Sequence, residues 1–300
     1  MMKILVTGSN GLLGQKLVNK LKVDPEVELI ATARGANRLQ EQFGYTYAAM
    51  DITSYREVMQ VMDQHQPDVV INTAAMTNVD ACETEPDKCD ELNIEAVKYL
   101  LEACEKHNSH LVHLSTDFIF NGKEGPYDEE AVPDPLSHYG ASKLTAEKLV
   151  SGSPVSWSII RTVLVYGVAE EMSRSNIVLW AKGALEKEQQ IRVVDDQFRS
   201  PTLAEDLADG CILAAKKKAQ GIYNISGKDQ MSILDLVWKV ADFWKLDKSV
   251  ITAVKSSTLS QPAKRPPITG FILDKAITEL GYTPHSFEEG LKIVDDQLNG

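Results

Sequence analysis

The sequence has 300 residues, of which 43% are hydrophobic and 25% charged, and its formal net charge at pH 7 is −12. This is the composition of a globular protein with a substantial core, which excludes a disordered chain and a disulfide-stapled mini-protein. The acidic balance also argues against a general nucleic-acid binder or a protein docked on anionic lipid, because both partners select basic surfaces.

The cysteine pattern and the hydropathy predict the compartment. Cys82, Cys89, Cys104 and Cys211 form no CxxC pair and no metal-ligand spacing, so we expect reduced thiols and no metal site. The first residues lead directly into a short apolar run and a glycine turn, which is too short for the core of a signal peptide. No stretch approaches the ~20 apolar residues of a membrane span. The sequence therefore predicts a soluble cytoplasmic protein.

In the first half of the chain, short apolar runs alternate with amphipathic segments of helix length. This alternation predicts βαβ units around a parallel sheet that helices cover on both faces. The predicted strands are Lys3–Thr7, Val27–Thr32, Tyr45–Ala49, Val69–Asn72, Leu111–Ser115 and Ser156–Arg161. The predicted helices cover residues 11–22, 54–65, 86–107 and 137–151. The expected fold class is therefore α/β.

The second half has a less regular pattern. It predicts helices near 175–188, 203–217, 232–244 and 287–298, and strands near 191–194 and 221–225. Segment 256–270 contains three prolines and a glycine and is expected to form an ordered loop. Together the two halves predict a doubly wound parallel sheet of the Rossmann type with a smaller C-terminal lobe.

The first motif with chemical meaning is Thr7-Gly8-Ser9-Asn10-Gly11-Leu12-Leu13-Gly14, which follows a predicted strand and opens a predicted helix. Gly8 permits the tight turn, Gly11 lets the backbone approach a pyrophosphate, and Gly14 allows close packing of helix on strand. The helix N-terminus supplies free N–H groups and a partial positive charge. In this context the motif predicts dinucleotide binding, with a purely structural turn as the alternative.

Residues at the ends of the next strands indicate which dinucleotide binds. The second strand ends without the Asp or Glu that binds the 2′-hydroxyl of NAD, and Arg34 can instead meet a 2′-phosphate. We therefore expect NADPH, with NADH as the open alternative. Asp51 and Ile52 follow the third strand, where Asp51 can bond adenine or cap a helix. Ala74 and Ala75 follow the fourth strand and offer small side chains beside a cofactor.

A third motif combines Ser115-Thr116-Asp117, at the end of the fifth strand, with Tyr139-Gly140-Ala141-Ser142-Lys143 on a helix. Tyr139 and Lys143 are four residues apart and so share one helix face. An ammonium beside the phenol is expected to lower its pKa from the usual value of about 10. Such a phenol can protonate a ketone oxygen as hydride reaches the carbon. The alternative, two unrelated side chains on a solvated helix, is disfavoured by the glycine motif upstream.

With these motifs the chain resembles the extended short-chain dehydrogenase/reductase superfamily, and within it the dTDP-4-dehydrorhamnose reductase family. The likeness covers nearly the whole chain. It rests on TGSNGLLG, INTAAMTNVDACETEP, LNIEA, HLSTDFIFNGKEGPYDEE, YGASKLTAEK, IIRTVLVYG, VVDDQFRSPTLAEDLA, GIYNISG and KRPPITGFILD. The resemblance implies NADPH-dependent reduction of the 4-keto group of a nucleotide sugar, foremost of dTDP-4-dehydrorhamnose to dTDP-L-rhamnose.

The resemblance also implies roles for individual residues. Tyr139 would donate the proton, Lys143 would tune it and hold the nicotinamide ribose, and Thr116 would bond the substrate oxygen. Beside Gly14 and Arg34, the residues expected along the cofactor are Gly8, Asn10, Gly11, Leu12, Asp51, Ile52, Ala74 and Ala75, with Tyr139 and Lys143. The residues expected near the substrate, besides Thr116, are Thr77, Val79, Asp80, Asn176, Gln197, Arg199 and Arg265.

The predicted domains follow from these roles. Residues 1–163 would form the dinucleotide-binding domain, to which 203–225 return, and residues 164–202 and 226–300 would form the substrate-binding lobe. Residues 1–150 contain 13 basic and 24 acidic side chains, whereas residues 151–300 contain 18 and 19. We therefore expect the near-neutral second half to bind the substrate phosphates. No partner other than this small molecule is implied, and a homodimer is left open.

Three positions depart from the family. Tyrosine is usual at Met76, a tryptophan is expected at Leu164, and a small residue is common at Arg199, so the sugar could differ from the usual one. Thr116-Asp117-Phe118 lacks the Glu of similar 4,6-dehydratases, which disfavours elimination chemistry. Two alternatives stay open: an epimerase that retains NAD, and a non-catalytic NADP-binding regulator similar to the beta subunit of methionine adenosyltransferase.

Overall fold

The computed structural model describes residues 1–171 and 175–299. The strands are β1 (Met2–Thr7), β2 (Val27–Ala33), β3 (Thr46–Ala49), β4 (Val69–Asn72), β5 (His110–Thr116), β6 (Trp157–Thr162), β7 (Val165–Tyr166), β8 (Ile191–Val194), β9 (Phe198–Arg199), β10 (Thr202–Leu203), β11 (Gly221–Asn224), β12 (Met231–Ser232) and β13 (Ile251–Val254). The α-helices are α1 (Leu12–Leu21), α2 (Tyr55–His65), α3 (Val79–Thr84), α4 (Pro86–Asp90), α5 (Ala96–His107), α6 (His138–Ser151), α7 (Ile177–Leu185), α8 (Ala204–Lys217), α9 (Ile233–Trp244) and α10 (Phe287–Asn299).

Seven parallel strands form the central sheet in the order β3-β2-β1-β4-β5-β6-β11. The chain starts in the middle of the sheet, builds one edge through β2 and β3, and then returns to continue on the other side of β1. The direction of winding therefore reverses between β1 and β4. In open sheets of this type, ligands bind in the crevice beyond the carboxyl ends of the strands at the reversal. The predicted fold class, a doubly wound parallel α/β sheet, is confirmed.

Helices cover both faces of this sheet, as the apolar character of its strands predicts. Strand β1 shows the arrangement: Ile4 and Val6 belong to the core on one face, and Leu5 belongs to the core on the other. Helix α6 begins after Ser137, whose hydroxyl accepts a hydrogen bond from Gly140 N at 3.2 Å. This cap fixes the start of the helix that carries Tyr139 and Lys143.

A second core lies in the later part of the chain. Helices α7, α9 and α10 pack around large side chains, among them Tyr166, Leu236 and Phe287. Short strand pairs edge this region: β7 with β10, β8 with β13, and β9 with β12. Strand β11 and helix α8 return to the first core, where Leu207 and Cys211 of α8 are buried. The predicted division into two domains, with 203–225 returning to the first, stays a prediction.

The structure differs from the predicted elements in a few places. The helix expected over 86–107 is interrupted by a π-helical turn at Glu91–Glu95, and an additional helix, α3, precedes it. Strand β13 and a second π-helical turn at Ala276–Leu280 were also not predicted. Such short elements carry too few residues for a hydrophobic period to show. None of the helices in the described parts of the chain combines the length and the apolar character that crossing a bilayer requires.

Candidate active site

The glycine turn between β1 and α1 lies at the point where the sheet reverses. Gly8 has a φ of +67°, and a Cβ there would lie 2.8 Å from Thr73 Oγ1 and 2.9 Å from Ala74 N. A Cβ on Gly14 would lie 2.2 Å from the carbonyl oxygen of Gly8. Both positions therefore require glycine. Gly11 precedes α1 and has no side chain, so nothing from this residue covers the first N–H groups of the helix.

Two buried hydroxyl groups indicate whether a polar ligand fits this crevice. Within the described ranges, the Ser9 and Ser115 hydroxyl oxygens are buried and have no hydrogen-bond partner in the protein. Ser9 lies in the glycine turn, and Ser115 is the penultimate residue of β5. Buried polar groups almost always find a partner. The glycine cradle and these two hydroxyls fit a polar ligand such as a dinucleotide.

The loop after β2 carries the predicted 2′-phosphate residue. The Arg34 side chain is 77% exposed, and its Nη1 lies 3.9 Å from Asp51 Oδ2. The other oxygen of Asp51 accepts hydrogen bonds from the backbone N and the hydroxyl of Thr53, at 3.0 and 2.8 Å. Helix α2 is capped by Ser54, so the alternative role of Asp51 as a helix cap is wrong.

Asn10 shapes the same loop. Its Nδ2 donates to Ala36 O at 2.8 Å, and its Oδ1 accepts from Arg38 N at 3.0 Å. This clamp holds the backbone of a second cation, Arg38, whose charge opposes the rise that burial causes in the pKa of Tyr47. Sequence reasoning missed Arg38, although its place four residues after Arg34 in one loop was a usable signal.

Other predicted cofactor residues surround the glycine turn. Leu12 begins α1, and Ala74 N donates to Thr7 Oγ1 at 3.3 Å, which ties the turn after β4 to the end of β1. Ala75 follows in that turn. The Ile52 side chain is buried in a core cluster with residues of the sheet and of α2, and its contact with a cofactor stays a prediction.

Tyr139 and Thr116 meet at the carboxyl end of β5. The Tyr139 side chain is buried and packs edge-on against Phe118 with ring centroids 5.7 Å apart, and the Thr116 hydroxyl lies near its phenol. Thr116 Oγ1 in turn donates to Asp117 Oδ1 at 3.1 Å. Val79, a predicted substrate residue, packs against the same cluster. The structure therefore brings Thr116, Tyr139 and Val79 together.

The electrostatics of this pair differ from the expectation. Burial raises the pKa of Tyr139, the hydrogen bond from Thr116 opposes the rise, and the carboxylate of Asp117 adds to it. The predicted lowering of the Tyr139 pKa by Lys143 is therefore wrong for the chain by itself. Lys143 Nζ instead lies 3.3 Å from His113 Nε2, and burial lowers the pKa of Lys143 to about 8. The phenol is thus protonated at neutral pH, as a proton donor must be, and burial makes it a weaker acid.

Two predicted substrate residues pair with each other. Arg265 Nη1 and Nη2 lie 3.1 and 2.7 Å from the two carboxylate oxygens of Asp80. Asp80 also accepts a hydrogen bond from Ala263 N at 3.1 Å. This bidentate ion pair ties α3, and the exposed Thr77 before it, to the segment that follows β13.

The remaining predicted substrate residues have structural partners. Asn176 caps α7 by accepting from Leu179 N at 3.2 Å and donates to Gly167 O at 2.7 Å. Arg199 is 3% exposed, and its guanidinium donates to carbonyl oxygens of Phe198, Pro266 and Pro267. Its Nε lies 3.8 Å from Asp117 Oδ2. Gln197 is buried just before it.

Arg199 thus fastens the 266–267 segment to the corner that carries Thr116. With its donors directed at backbone carbonyls and Asp117, its direct contact with a substrate stays a prediction. Leu164, one of the three departures from the family, has a φ of +37°, a strained value for a residue with a side chain.

Sequence reasoning also missed polar residues behind the site. Asn93, in the π-helical turn, accepts from Met76 N at 2.8 Å and donates to Ser142 Oγ at 3.0 Å, which links the loop after β4 to α6. Asp117 and His113 are the immediate partners of Thr116 and Lys143. These residues lie in the segments LNIEA and HLSTDFIF, which carry the family resemblance, but the sequence does not show which side chains they bond.

Cys89, Asp90 and His138 place their ligand atoms within 4.8 Å of one another. His138 Nε2 lies 2.8 Å from Asp90 Oδ1, and Cys89 Sγ accepts from Asn93 Nδ2 at 3.3 Å. These groups thus have protein partners, and the expected absence of a metal stays a prediction.

Comparison with known proteins places the whole chain in one family. The model of the family described as RmlD substrate binding domain matches residues 2–299. The chain is 33% identical over 295 residues to the spore coat polysaccharide biosynthesis protein SpsK of Bacillus subtilis, covering 97% of this chain and 96% of that protein. It is 31% identical over 306 residues to dTDP-4-dehydrorhamnose reductase of Aggregatibacter actinomycetemcomitans, with 98% of each chain covered.

A different kind of relative is also similar. Methionine adenosyltransferase 2 subunit beta of Pongo abelii is 27% identical over 260 residues, which cover 85% of this chain and 76% of that protein.

Solved structures agree with the sequence relatives. The crystal structure of a dTDP-4-dehydrorhamnose reductase from Clostridium acetobutylicum superposes with a TM-score of 0.88 at 29% identity, covering 100% of both chains. That of dTDP-4-dehydrorhamnose reductase from Bacillus anthracis in complex with NADP superposes with a TM-score of 0.86 at 26% identity, covering 99% of this chain and 100% of the other. The chain belongs to the RmlD substrate binding domain family, and it is an NAD(P)-dependent oxidoreductase of the extended short-chain dehydrogenase/reductase type.

Proposed function

We propose that this protein reduces the 4-keto group of a nucleotide sugar with NADPH, and that dTDP-4-dehydrorhamnose, giving dTDP-L-rhamnose, is the first substrate to test. One observation carries the proposal: the buried Tyr139 stands beside Thr116 at the carboxyl end of β5, with Lys143 one helical turn behind it. A proton donor and a hydroxyl that can bond the same carbonyl oxygen are what ketone reduction requires of the protein.

The cofactor would lie along the glycine turn. Gly8, Gly11 and Gly14 give a backbone approach to the pyrophosphate, and the start of α1 offers N–H donors to it. Arg34 is exposed where the 2′-phosphate of NADPH would lie. The Lys143 ammonium would hold the nicotinamide ribose. NADPH, when bound, supplies the hydride that reduces the substrate carbon.

The protein's own part in the reaction is to hold the ketone and deliver the proton. The Thr116 hydroxyl would bond the ketone oxygen, and Tyr139 would transfer its phenolic proton to that oxygen as negative charge develops there. The phenol is protonated at neutral pH, and the ketone oxygen becomes basic enough to take that proton as hydride reaches the carbon.

The substrate would lie between the sheet edge and the later lobe. We assign residues 1–163 and 203–225 to the cofactor domain and residues 164–202 and 226–300 to the substrate-binding lobe. The residues proposed to approach the nucleotide sugar, besides Thr116, are Thr77, Val79, Asp80, Asn176, Gln197, Arg199 and Arg265. Arg265 would meet the diphosphate, since 18% of its side chain stays exposed beside its ion pair with Asp80.

The test is an NADPH-oxidation assay over a panel of 4-keto nucleotide sugars that differ in base and in sugar. We expect turnover with at least one member, and faster turnover with NADPH than with NADH. Purified protein that retains NAD and interconverts epimers without net oxidation of NADPH would support an epimerase instead.

A second candidate function is a non-catalytic regulator. The similarity to methionine adenosyltransferase 2 subunit beta favours it. The presence of Tyr139 and Thr116 side by side, with Lys143 one helical turn away, favours catalysis. Absence of turnover across the panel, together with copurification of a partner enzyme whose activity changes with NADPH, would support the regulator.

A further inference from the structure

A buried row of polar side chains crosses three neighbouring strands behind the site. Thr7, Asn72 and His113 are partners in the parallel register of β1, β4 and β5, and each is at most 2% exposed. Thr7 Oγ1 lies 2.6 Å from Asn72 Oδ1, and Asn72 Nδ2 lies 3.2 Å from His113 Nδ1. The row ends at Lys143, whose Nζ lies 3.3 Å from His113 Nε2.

Burying this row of polar side chains opposes folding unless their hydrogen bonds replace the lost hydration. Polar groups lose hydration when they are buried, and the loss is offset only where each finds a partner. The strand positions of Asn72 and His113 would suit Val or Ile in the middle of a parallel sheet. Lys143 is itself 3% exposed, and His113 supplies the hydrogen-bond partner of its Nζ within the described ranges.

We propose that His113 is a positioning residue for Lys143, and that the Asn72 amide sets which imidazole nitrogen faces the lysine. The inference rests on the proposed function and deepens it, since Lys143 is the residue that would hold the nicotinamide ribose. The row reaches Thr7, whose Oγ1 accepts from Ala74 N at 3.3 Å, so it connects Lys143 to the glycine turn.

The donors and acceptors of the row allow two arrangements. In the first, Thr7 donates to Asn72 Oδ1, Asn72 Nδ2 donates to His113 Nδ1, and the proton on Nε2 faces a neutral Lys143 amine. An ammonium can only donate, so a charged Lys143 requires His113 Nε2 to accept. His113 Nδ1 then carries the proton, and the amide of Asn72 turns over to present its oxygen. Thr7 serves both arrangements, because a hydroxyl can donate or accept.

Among the described groups around Lys143, His113 is the one whose proton arrangement can change with the charge of the lysine. Glu147, on the same helix, and Cys89, on α4, both favour its charged form. Glu147 is already bound by Arg161, with N···O distances of 3.0 and 2.8 Å. Tyr139 shares the helix and keeps its proton. Burial, and then the nearby Lys143, hold the pKa of His113 well below its usual value, so its ring stays neutral.

The kinetic test replaces His113 and uses a second buried histidine of β5 as the matched control. His110 bonds Ser156 and Ser158 rather than any site residue. We expect His113→Leu to lower kcat about 10- to 100-fold, the effect of losing one hydrogen bond to a charged group. The alkaline limb of its pH profile should move to lower pH, because the ammonium loses its acceptor. His113→Gln, which offers an amide oxygen, should recover most of both.

The control separates positioning from general destabilisation. His110→Leu should lower the free energy of unfolding but leave kcat and the alkaline limb unchanged. A His113→Leu chain with the native kcat and limb overturns the proposal, as does a His110→Leu chain that changes both to the same extent.

A second measurement needs neither substrate nor a folded variant of His113. In ¹⁵N-labelled native protein, the imidazole of His113 should change tautomer as Lys143 loses its proton; burial lowers the pKa of Lys143 to about 8, so the change is expected in that range. This step should be absent in Lys143→Met. A tautomer that is independent of pH, or a step that survives in Lys143→Met, overturns the inference. Absence of turnover in the native chain would count against the proposed function alone.

Discussion

The two sides of the crevice hold their side chains in different ways. On the cofactor side, the important residues lie at the ends of parallel strands or in the turns that follow, as Thr7, Gly8 and Thr116 do. Backbone hydrogen bonds between the strands fix these positions without the help of side-chain contacts. On the substrate side, β9 and β10 have two residues each, and the predicted site residues are held by side-chain contacts.

Those contacts connect distant parts of the chain. Asp80 pairs with Arg265, and Arg199 holds the carbonyls of residues 266 and 267. The difference teaches that the cofactor side can be inferred from short motifs, whereas the substrate side depends on pairs that only the folded chain reveals. The same difference predicts which substitutions disturb chemistry, which disturb the backbone, and which disturb substrate affinity.

The largest effect is expected at the proton donor. Tyr139→Phe removes the phenolic proton but keeps the ring that packs on Phe118, so kcat should fall about 10²- to 10⁴-fold. The dissociation constant of NADPH, measured by fluorescence titration, should change little. Tyr223→Phe is a matched control, since that hydroxyl bonds Gln220 and Glu279 away from the crevice. Native-like turnover of Tyr139→Phe would place the proton donor elsewhere.

The next effect tests the rigid cofactor side. Gly14→Ala should lower the free energy of unfolding by about 1–3 kcal/mol and weaken NADPH binding, because the new methyl would overlap the Gly8 carbonyl in a backbone with little room to move. Gly183→Ala is the control: it lies in α7, and a Cβ there meets nothing within 4 Å. That change should be neutral or stabilising by up to ~1 kcal/mol. If denaturant titrations show the same loss in free energy of unfolding for both variants, the close packing of Gly14 on Gly8 is not what makes the substitution unfavourable.

Much of the cofactor side was predictable from local signals. The strands of the first half carry apolar runs between turn residues, and a lysine four residues after Tyr139 must share its helix face. The predicted pKa of Tyr139 had the wrong direction because spacing places Lys143 near the tyrosine but does not show where its ammonium points. It points to His113, and a histidine in an apolar strand gives no sign of what its ring will face.

The substrate side offered fewer local signals. Asp80 and Arg265 are 185 residues apart, and no period or motif connects them. Arg199 resembles any exposed arginine in the sequence, yet the fold buries it against carbonyl groups. Asn176 was predicted as a substrate residue, and its capping role follows only once the start of α7 is known.

A third prediction asks whether the Asp80–Arg265 pair serves the substrate or only the fold. Arg265→Ala should raise the KM for the nucleotide sugar about tenfold with a smaller change in kcat, as expected for losing ~1.4 kcal/mol of binding. Asp80→Asn keeps the guanidinium and should raise KM less. Measuring both variants and the double variant gives the coupling energy. If the two substitutions are coupled in the free energy of unfolding but not in KM, the Asp80–Arg265 pair serves only the fold.

The smallest effect is expected at Arg34. Its side chain is largely exposed and lies near the carboxylate of Asp51. Solvent and this negative charge both weaken its attraction for a phosphate. Arg34→Ala should raise the KM for NADPH several-fold, by about 1 kcal/mol or less, and leave the KM for NADH unchanged, whereas Arg56→Ala on the exposed face of α2 should alter neither. If the preference for NADPH survives in Arg34→Ala, Arg38 is the next cation to test, because the Asn10 clamp holds its backbone in the same loop. The cofactor side would then also depend on a side-chain contact, and the contrast between the two sides would hold for the pyrophosphate but not for the adenosine end.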